Sequence, residues 1–558
     1  MRVCGIDLGT TNSLIAVFED GAPRLIPNAL GDMLTPSVVG VDDAGVVLVG
    51  KMARERLLSH PDRTVASFKR LMGTEQSTQL GGLRFRPEEL SALVLRSLKA
   101  DAEMHLDASV DEAIISVPAY FNDHQRKATL DAGRLAGLKV ERLINEPTAA
   151  ALAYGFDDAE TGKFLIFDLG GGTFDVSILD KYEGVMEVRA TAGDTNLGGE
   201  DFTTVIERRV ADQQRFSVKE LSATDRARLR RAAERLKFDL TSCETASYRL
   251  ALADAEYSAT ITRDSFEADA AHLLRRLRAP VERAIRDARL TPKDLTSVVM
   301  VGGATRMPIV RSLVARLFGR LPLVRVDPDQ TVALGAAVQA GLKARARALE
   351  DVVMTDVCPF TLGIAAVEDA QNPRVMIVTP IIERNAVVPI SRSQTFHTVH
   401  RRQTMIEVQV YQGENLRPEN NIKLGSFKVR VPANEPGAEV VDVRFTYDIN
   451  GAVEVEATVL STGVVERRIF RNLSGLSEGE LRARFAALEA IKLQPRDQAE
   501  NRLLIARAER IYAEQRGEAR DALRAALMQF EALIVDQQTR DLADIRSAFA
   551  TVLDGLEP

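Results

Sequence analysis

The stretch Ile6-Asp7-Leu8-Gly9-Thr10-Thr11-Asn12-Ser13-Leu14-Ile15-Ala16-Val17 returns in altered form as Phe167-Asp168-Leu169-Gly170-Gly171-Gly172-Thr173-Phe174-Asp175-Val176-Ser177-Ile178. Each copy reads as a strand, a tight glycine turn and a second strand, and the pair predicts a duplicated phosphate grip. Glycine lets backbone N–H groups approach phosphate oxygens closely, and the hydroxyls of Thr10, Thr11 and Thr173 add donors. Asp7, Asp168 and Asp175 would repel phosphate directly. They suit a hydrated Mg²⁺, an ion that binds few carboxylates and keeps most of its waters. One such hairpin alone is an ordinary turn, but two with acid and threonine in step signal a nucleotide.

At 558 residues the chain exceeds one ordinary core and fits about three or four domains. Its 45% hydrophobic and 27% charged residues exclude wholesale disorder. A net charge of −7 gives no basic footprint for nucleic acid. Cys4, Cys243 and Cys358 lie far apart with no C-x-x-C pair, which argues against a disulfide framework or zinc site and for a reducing compartment. The histidines, His397 and His400 among them, lack H-x-x-x-H spacing. No apolar run reaches the roughly 20 residues that span a bilayer, and the first strand starts too near Met1 for a signal peptide. A cytoplasmic protein with no membrane partner is expected.

Up to about residue 346, short β-branched runs alternate with helical stretches, the mark of an α/β architecture. Strands are predicted at Ile114–Val117 and Ser297–Val301, and helices at Asp123–Gly137, Asp225–Leu240, Pro308–Phe318 and Thr331–Ala346. Composition then shifts through 347–355, with the apolar Val352-Val353-Met354. From 356 to 472, runs such as Met405–Val410 and Val453–Val459 alternate with period two, predicting antiparallel strands, with a turn at Asp448–Gly451. Ser477 and Glu480 form a capping box, followed by Leu481, Phe485 and Leu488 at helical spacing, so 473–558 is read as helical.

Further blocks follow the first hairpin: Val117-Pro118-Ala119-Tyr120-Phe121-Asn122-Asp123, Asn145-Glu146-Pro147-Thr148-Ala149-Ala150, Gly198-Gly199-Glu200-Asp201-Phe202, and Val301-Gly302-Gly303 with Thr305-Arg306-Met307-Pro308. With these in order from residue 1 to about 480, the chain resembles the heat-shock chaperone ATPases of DnaK type. Its compact first lobe and short tail resemble the HscC-like bacterial branch. The resemblance implies a multidomain protein: an actin-like α/β ATPase domain (1–346), a linker (347–355), an antiparallel β-sandwich that binds peptides (356–472) and a truncated α-helical lid (473–558). It implies ATP or ADP with Mg²⁺, and K⁺ as a companion ion.

By matching positions, Thr10, Thr11, Asn12, Gly170, Gly171, Gly172 and Thr173 contact phosphates, with Gly198 and Gly199 close by. Asp7, Glu146, Asp168 and Asp175 hold the Mg²⁺ water shell, and Lys69 reaches the γ-phosphate and the attacking water. Phosphoryl transfer needs positioning and charge neutralisation more than covalent help, so Lys69, Glu146, Asp168, Thr173 and Asp7 form the implied catalytic set. Adenosine contacts carry over to Gly302, Gly303, Arg306 and Asp329, and to Glu234, Lys237 and Thr241 on one helix. Glu234 and Lys237, three apart on one face, have a surface ion pair as their bland alternative.

Pro118, Arg126 and Glu146 resemble a relay that reports nucleotide state, and Val352, Val353 and Met354 resemble the docking linker, with Thr355 at a usually apolar place. Arg142, Asn145 and Asp356 match positions used with a J-domain partner. Ile364, Val367, Phe396, Val399, Ile406 and Val408 match a peptide groove, the bland alternative being sandwich core. His400-Arg401-Arg402 makes a basic rim beside it, expected to favour acidic flanks. The implied partners are unfolded polypeptide segments, a J-domain co-chaperone and a nucleotide-exchange factor, and the chain is expected to act as a monomer. The alternatives are an actin-like-fold sugar kinase or filament-forming ATPase, which would need neither linker nor lid, and a binding protein with a decayed ATPase, which would not keep this set of acids and lysine.

Overall fold

The computed structural model describes residues 2–42, 45–155, 161–182, 185–252, 255–323, 326–349, 353–368, 375–449 and 451–470, and parts of 501–556. The first lobe is built on strands β1 (Val3–Asp7), β2 (Asn12–Glu19), β3 (Ala22–Ile26), β4 (Glu112–Val117) and β5 (Lys139–Asn145), in the order β5-β4-β1-β2-β3. The second carries β6 (Gly162–Leu169), β7 (Phe174–Tyr182), β8 (Val185–Asp194) and β9 (Ser297–Val301), in the order β9-β6-β7-β8. In each lobe the glycine hairpin is antiparallel, and its first strand takes a parallel neighbour on the other side, β4 on β1 and β9 on β6. The repeat in sequence is therefore a repeat of sheet topology. Continuous apolar runs suit these parallel neighbours, which are covered on both faces: Ile114, Ile115, Met300 and Val301 have no exposed surface.

Two helices cross at the base of the cleft, Glu146–Gly155 and Thr331–Lys343. Their backbones touch: a Cβ on Gly335 would fall 1.7 Å from the Ala149 carbonyl oxygen, and one on Gly5 in β1 would fall 2.2 Å from the Ala337 nitrogen. The alanine and glycine content read as helix thus also sets the spacing of the lobes. This helix ends at Lys343, short of the expected Ala346, where Arg345 takes a left-handed conformation (φ 54°). Helix Asp123–Leu135 starts on Asn122, whose side chain accepts from the Gln125 N–H, and stops before Gly137 at φ 75°. Helix Ala223–Ser242 begins on Ser222, and Pro308–Phe318 runs from an N-terminal proline to left-handed Gly319.

The 347–355 segment leads into a strand, β10 (Val353–Val357), which extends the second-lobe sheet. Val353, Met354 and Thr355 lie parallel to Val185, Met186 and Glu187 of β8. Val352 falls outside the described residues. Beyond β10 come β11 (Leu362–Val367), β12 (Met376–Ile382), β13 (Val387–Val388), β14 (Ile390–His397), β15 (Met405–Gln412), β16 (Ile422–Arg430), β17 (Val440–Tyr447), β18 (Val453–Val459) and β19 (Val465–Phe470). They form two antiparallel sheets, β12-β11-β15-β16 and β14-β17-β18-β19, while β13 pairs with β10. The two sheets share one apolar core that includes Val410, Val429, Val443, Phe445 and Val455.

Helices Glu518–Val535 and Leu542–Asp554 pack through Phe530 and Phe549, stacked 4.2 Å apart, with Ile511, Leu523 and Leu553 around them. The capping box at Ser477 and Glu480, with Leu481, Phe485 and Leu488, lies outside the described residues. Among the described residues no helix is long and apolar enough to cross a membrane.

Candidate nucleotide site

The glycine turns of β1–β2 and β6–β7 face each other across a cavity of about 600 Å³, a size suited to a small ligand. Of the residues expected from sequence, Asp7, Thr10, Thr11, Asn12, Lys69, Glu146, Asp168, Gly170, Gly171, Thr173, Gly199, Glu234, Lys237, Thr241, Gly302, Gly303, Arg306 and Asp329 line it. The jaws meet tightly. A Cβ on Gly171 would lie 2.0 Å from the Thr11 hydroxyl, and one on Gly172 would lie 2.9 Å from the Thr10 hydroxyl. The second turn is fixed from behind, where the first N–H groups of helix Gly199–Gln214 donate to its carbonyls, Gly199 to Gly170 and Glu200 to Gly171.

Gly172, Gly198 and Asp175 depart from the expectation, because none of them lines the cavity. Gly172 packs against Thr10 and Arg70. Asp175 is 2% exposed, and its two oxygens accept the backbone N–H groups of Ala119 and Tyr120, each at 3.2 Å. In the hairpin alignment it corresponds to Leu14, so the two jaws differ at this point.

Lys69 sits on the short helix Phe68–Leu71, aimed inward after Ser67 takes a left-handed turn (φ 58°). Only 3% exposed, its Nζ donates to Glu146 Oε1 at 2.8 Å and lies 5.5 Å from the Phe121 ring centre. Ser116 donates to Asp7 at 2.8 Å. Burial first, then the Glu146 carboxylate, pushes Asp7 up to about 7 and Asp175 up to about 8, and holds Asp168 well above the ordinary carboxylate range. Asp168 Oδ2 is buried without a hydrogen-bond partner. Asp7, Glu146 and Asp168 line the pocket around Lys69, and this orphaned oxygen fits a cation. Among the described residues no three potential ligands converge for direct coordination.

At the other end, Arg306 donates through Nε and Nη2 to Asp329 at 3.1 and 2.9 Å, and to Asp327 at 2.6 Å, giving a flat guanidinium held at the wall. Glu234 and Lys237 do not pair with each other. Glu234 meets Arg54 of the first lobe at 3.7 Å, and Lys237 donates to Gly199 O and to Thr203 at 3.0 and 2.7 Å. Thr241 Oγ1 donates to the Lys237 carbonyl at 3.2 Å. Sequence reasoning missed Lys51, Arg54, Glu200 and Phe238 as wall residues. An exposed apolar residue beside Lys237 on a polar helix was the available signal for Phe238, which is 58% exposed.

A chain of polar contacts leads from this pocket to β10. Pro118 precedes the Ala119 and Tyr120 amides that hold Asp175. Arg126 donates to Ala119 O at 3.0 Å and to Asn145 Oδ1 at 2.6 Å, and Asn145 Nδ2 donates to Asp356 at 2.9 Å. Thr148 adds a bond to Asp356 at 3.2 Å. Arg142 is half-buried beside Asp356 and Asp448, which counter the lowering of its pKa by desolvation. The β region also touches the second lobe directly: Arg384 and Asn385 both donate to Asp287.

The expected peptide groove divides. Ile364 and Val408 are 4% and 0% exposed and pack in the core between the two sheets, the alternative to a groove position stated for them from sequence. They occupy inward positions of β11 and β15, where Ile364 faces Val410. Phe396 and Ile406 are half-buried at the rim of that core, and Val367 and Val399 are half-buried outside it.

Residues 3–550 match the family described as Hsp70 protein. The chain is 41% identical over 554 residues to the chaperone protein DnaK 1 of Synechococcus sp., covering 91% of this chain and 72% of that one. The same figures hold for the chaperone protein dnaK3 of Synechococcus elongatus. A duplicated phosphate-sized grip joined by a strand to a β-rich region, together with matches of this extent, establishes that the chain belongs to the Hsp70 family of ATP-hydrolysing chaperones.

Proposed function

We propose that ATP lies in the cavity between the jaws and that its hydrolysis is reported to a peptide-binding β-sandwich through β10. The observation that carries this reading is the linker strand, paired with β8 and tied by Asp356 to Asn145, the residue next to Glu146. The proposed units are an actin-like ATPase domain (1–346), a linker (347–355), a sandwich (356–472) and a helical lid (473–558). Membership of the family sets aside the sugar-kinase and filament alternatives.

In this reading the jaw amides and the hydroxyls of Thr10, Thr11 and Thr173 bind phosphates, and Arg306 and Gly303 face the adenosine. Mg²⁺, when bound, supplies charge neutralisation for the phosphates. Asp7, Glu146 and Asp168 would hold its waters, while Asp175 acts one layer behind, on the Ala119 and Tyr120 amides. Lys69 moves between Glu146 and the γ-phosphate and orients the attacking water. Closure of the jaws shifts Pro118–Tyr120, and Arg126 and Asn145 pass the shift to Asp356.

Phe396, Ile406, Val367 and Val399 remain the groove candidates, with backbone hydrogen bonds holding an extended segment. Arg401 of the basic rim already meets Glu435 at 3.2 Å, an exposed pair that an acidic peptide flank can displace at little cost. A J-domain co-chaperone at Arg142 and Asn145, and an exchange factor, complete the cycle.

The test is release of a labelled unfolded peptide on adding ATP, compared between wild type and Lys69→Ala. Release from both, with turnover only in wild type, supports the reading. No peptide binding in any nucleotide state refutes it.

A further inference from the structure

The cleft holds a second cavity, also of about 600 Å³, which shares Thr10 and Thr11 with the first. It runs between helix Lys51–Ser59 of the first lobe and helix Ala223–Ser242 of the second. Ser67 and Arg70, which flank Lys69 in the sequence, form part of its wall, and so do Ala227 and Arg231. Those four residues line only this cavity and not the first.

We propose that the second cavity is the exit route for inorganic phosphate, used while ADP still fills the first. The inference rests on the nucleotide reading above. With the base held at Arg306 and the γ-phosphate at Lys69, product ADP occupies the first cavity between those two residues. The jaw threonines belong to the wall common to both cavities, together with Lys51, Arg54, Glu200 and Glu234, so the phosphate already touches the second one when it forms.

The charges along the way suit passage rather than capture. Arg70 comes first, and its Nη2 bonds across the cleft to Asp201 at 3.0 and 3.1 Å and to Asn196 O at 3.0 Å, so an arriving anion competes with a carboxylate for it. Arg230, also on this wall, is already matched by Glu200 and Glu207. Arg231 is exposed at the outer end and makes no ion pair among the described residues. A path of cations that are mostly neutralised lets an anion enter without trapping it.

The experiment uses the full chain in single turnover, with acid quench for cleavage, a fluorescent phosphate-binding reporter for phosphate release and a fluorescent ADP analogue for ADP release. Ala227→Trp narrows the cavity. Arg231→Glu sets a carboxylate in the path from an exposed position that folding does not need. Arg235→Trp, exposed on the same helix and lining neither cavity, is the control. Both test variants should cleave ATP and release ADP as wild type does, while phosphate release lags by about tenfold, one decade in rate. The control should show no lag. Phosphate release at the wild-type rate in Arg231→Glu and in folded Ala227→Trp overturns the route. Wild type that binds nucleotide without cleaving it overturns the nucleotide reading instead.

Discussion

Replacing Gly335 with alanine tests the crossing at the base of the cleft, because two effects of opposite sign compete there. In an open helix the change would stabilise by about 1 kcal/mol, since alanine loses less backbone freedom than glycine. Here the added Cβ would fall 1.7 Å from Ala149 O and 2.3 Å from its carbonyl carbon. Ordinary contact needs about twice that distance, so the helices must part by more than an ångström, and both are backbone-rigid at that point. Overpacking of this kind costs about 3 kcal/mol at the upper end of its usual range. The net is about 2 kcal/mol of destabilisation, or roughly a thirtyfold loss in the folding equilibrium. Because the chain has no tryptophan, urea unfolding is followed by circular dichroism, with ADP affinity measured by calorimetry. Affinity should fall too, since Glu146 opens one helix and Asp329 precedes the other. A variant as stable as wild type, or more stable, would show that the helices do not meet backbone to backbone.

Asp356→Ala leaves the Asn145 and Thr148 donors without their acceptor, at about 1–3 kcal/mol for each donor that stays buried. ATP-triggered peptide release should slow while nucleotide affinity holds; unaltered release would remove the Asn145 relay. Asp7 and Asp175 have folded pKa values raised to about 7 and about 8, so the unfolded chain binds fewer protons between about pH 4 and 8 and stability falls as pH rises through that window. Without nucleotide or Mg²⁺ the melting temperature should be lower at pH 9 than at pH 6, and the opposite order would contradict the burial of these acids. Val408→Ala should cost about 2 kcal/mol through lost burial; weakened peptide binding at unchanged stability would return Val408 to the groove.

The sequence was most informative where local chemistry and tertiary position agree. Strand Ser297–Val301 and helix Pro308–Phe318 occur with the bounds read from β-branching, the leading proline and Gly319. The hairpins were legible because their function depends on backbone shape, which glycine spacing records. Asp175 was not, since a carboxylate motif does not say whether it faces ligand or the neighbouring Ala119 amide. Period-two alternation identified β15 and β18 as strands but could not separate a core-facing Val408 from a rim-facing Ile406. Arg54 with Glu234 and Arg70 with Asp201 join residues more than 100 positions apart; such pairs exist only once two lobes close.

Strand β10 has a second role that follows from its place. It covers the edge of β8, where Val185, Met186 and Glu187 would otherwise present unpaired backbone groups, with Val185 still 42% exposed and Tyr182 64% exposed nearby. In the proposed cycle, withdrawal of the linker would uncover a sticky strand margin on a chaperone that meets unfolded chains, the partners most able to zip onto it. Rapid redocking would then protect the ATPase from the material it handles, and a chain with a lengthened linker should show this first as co-aggregation with unfolded polypeptide.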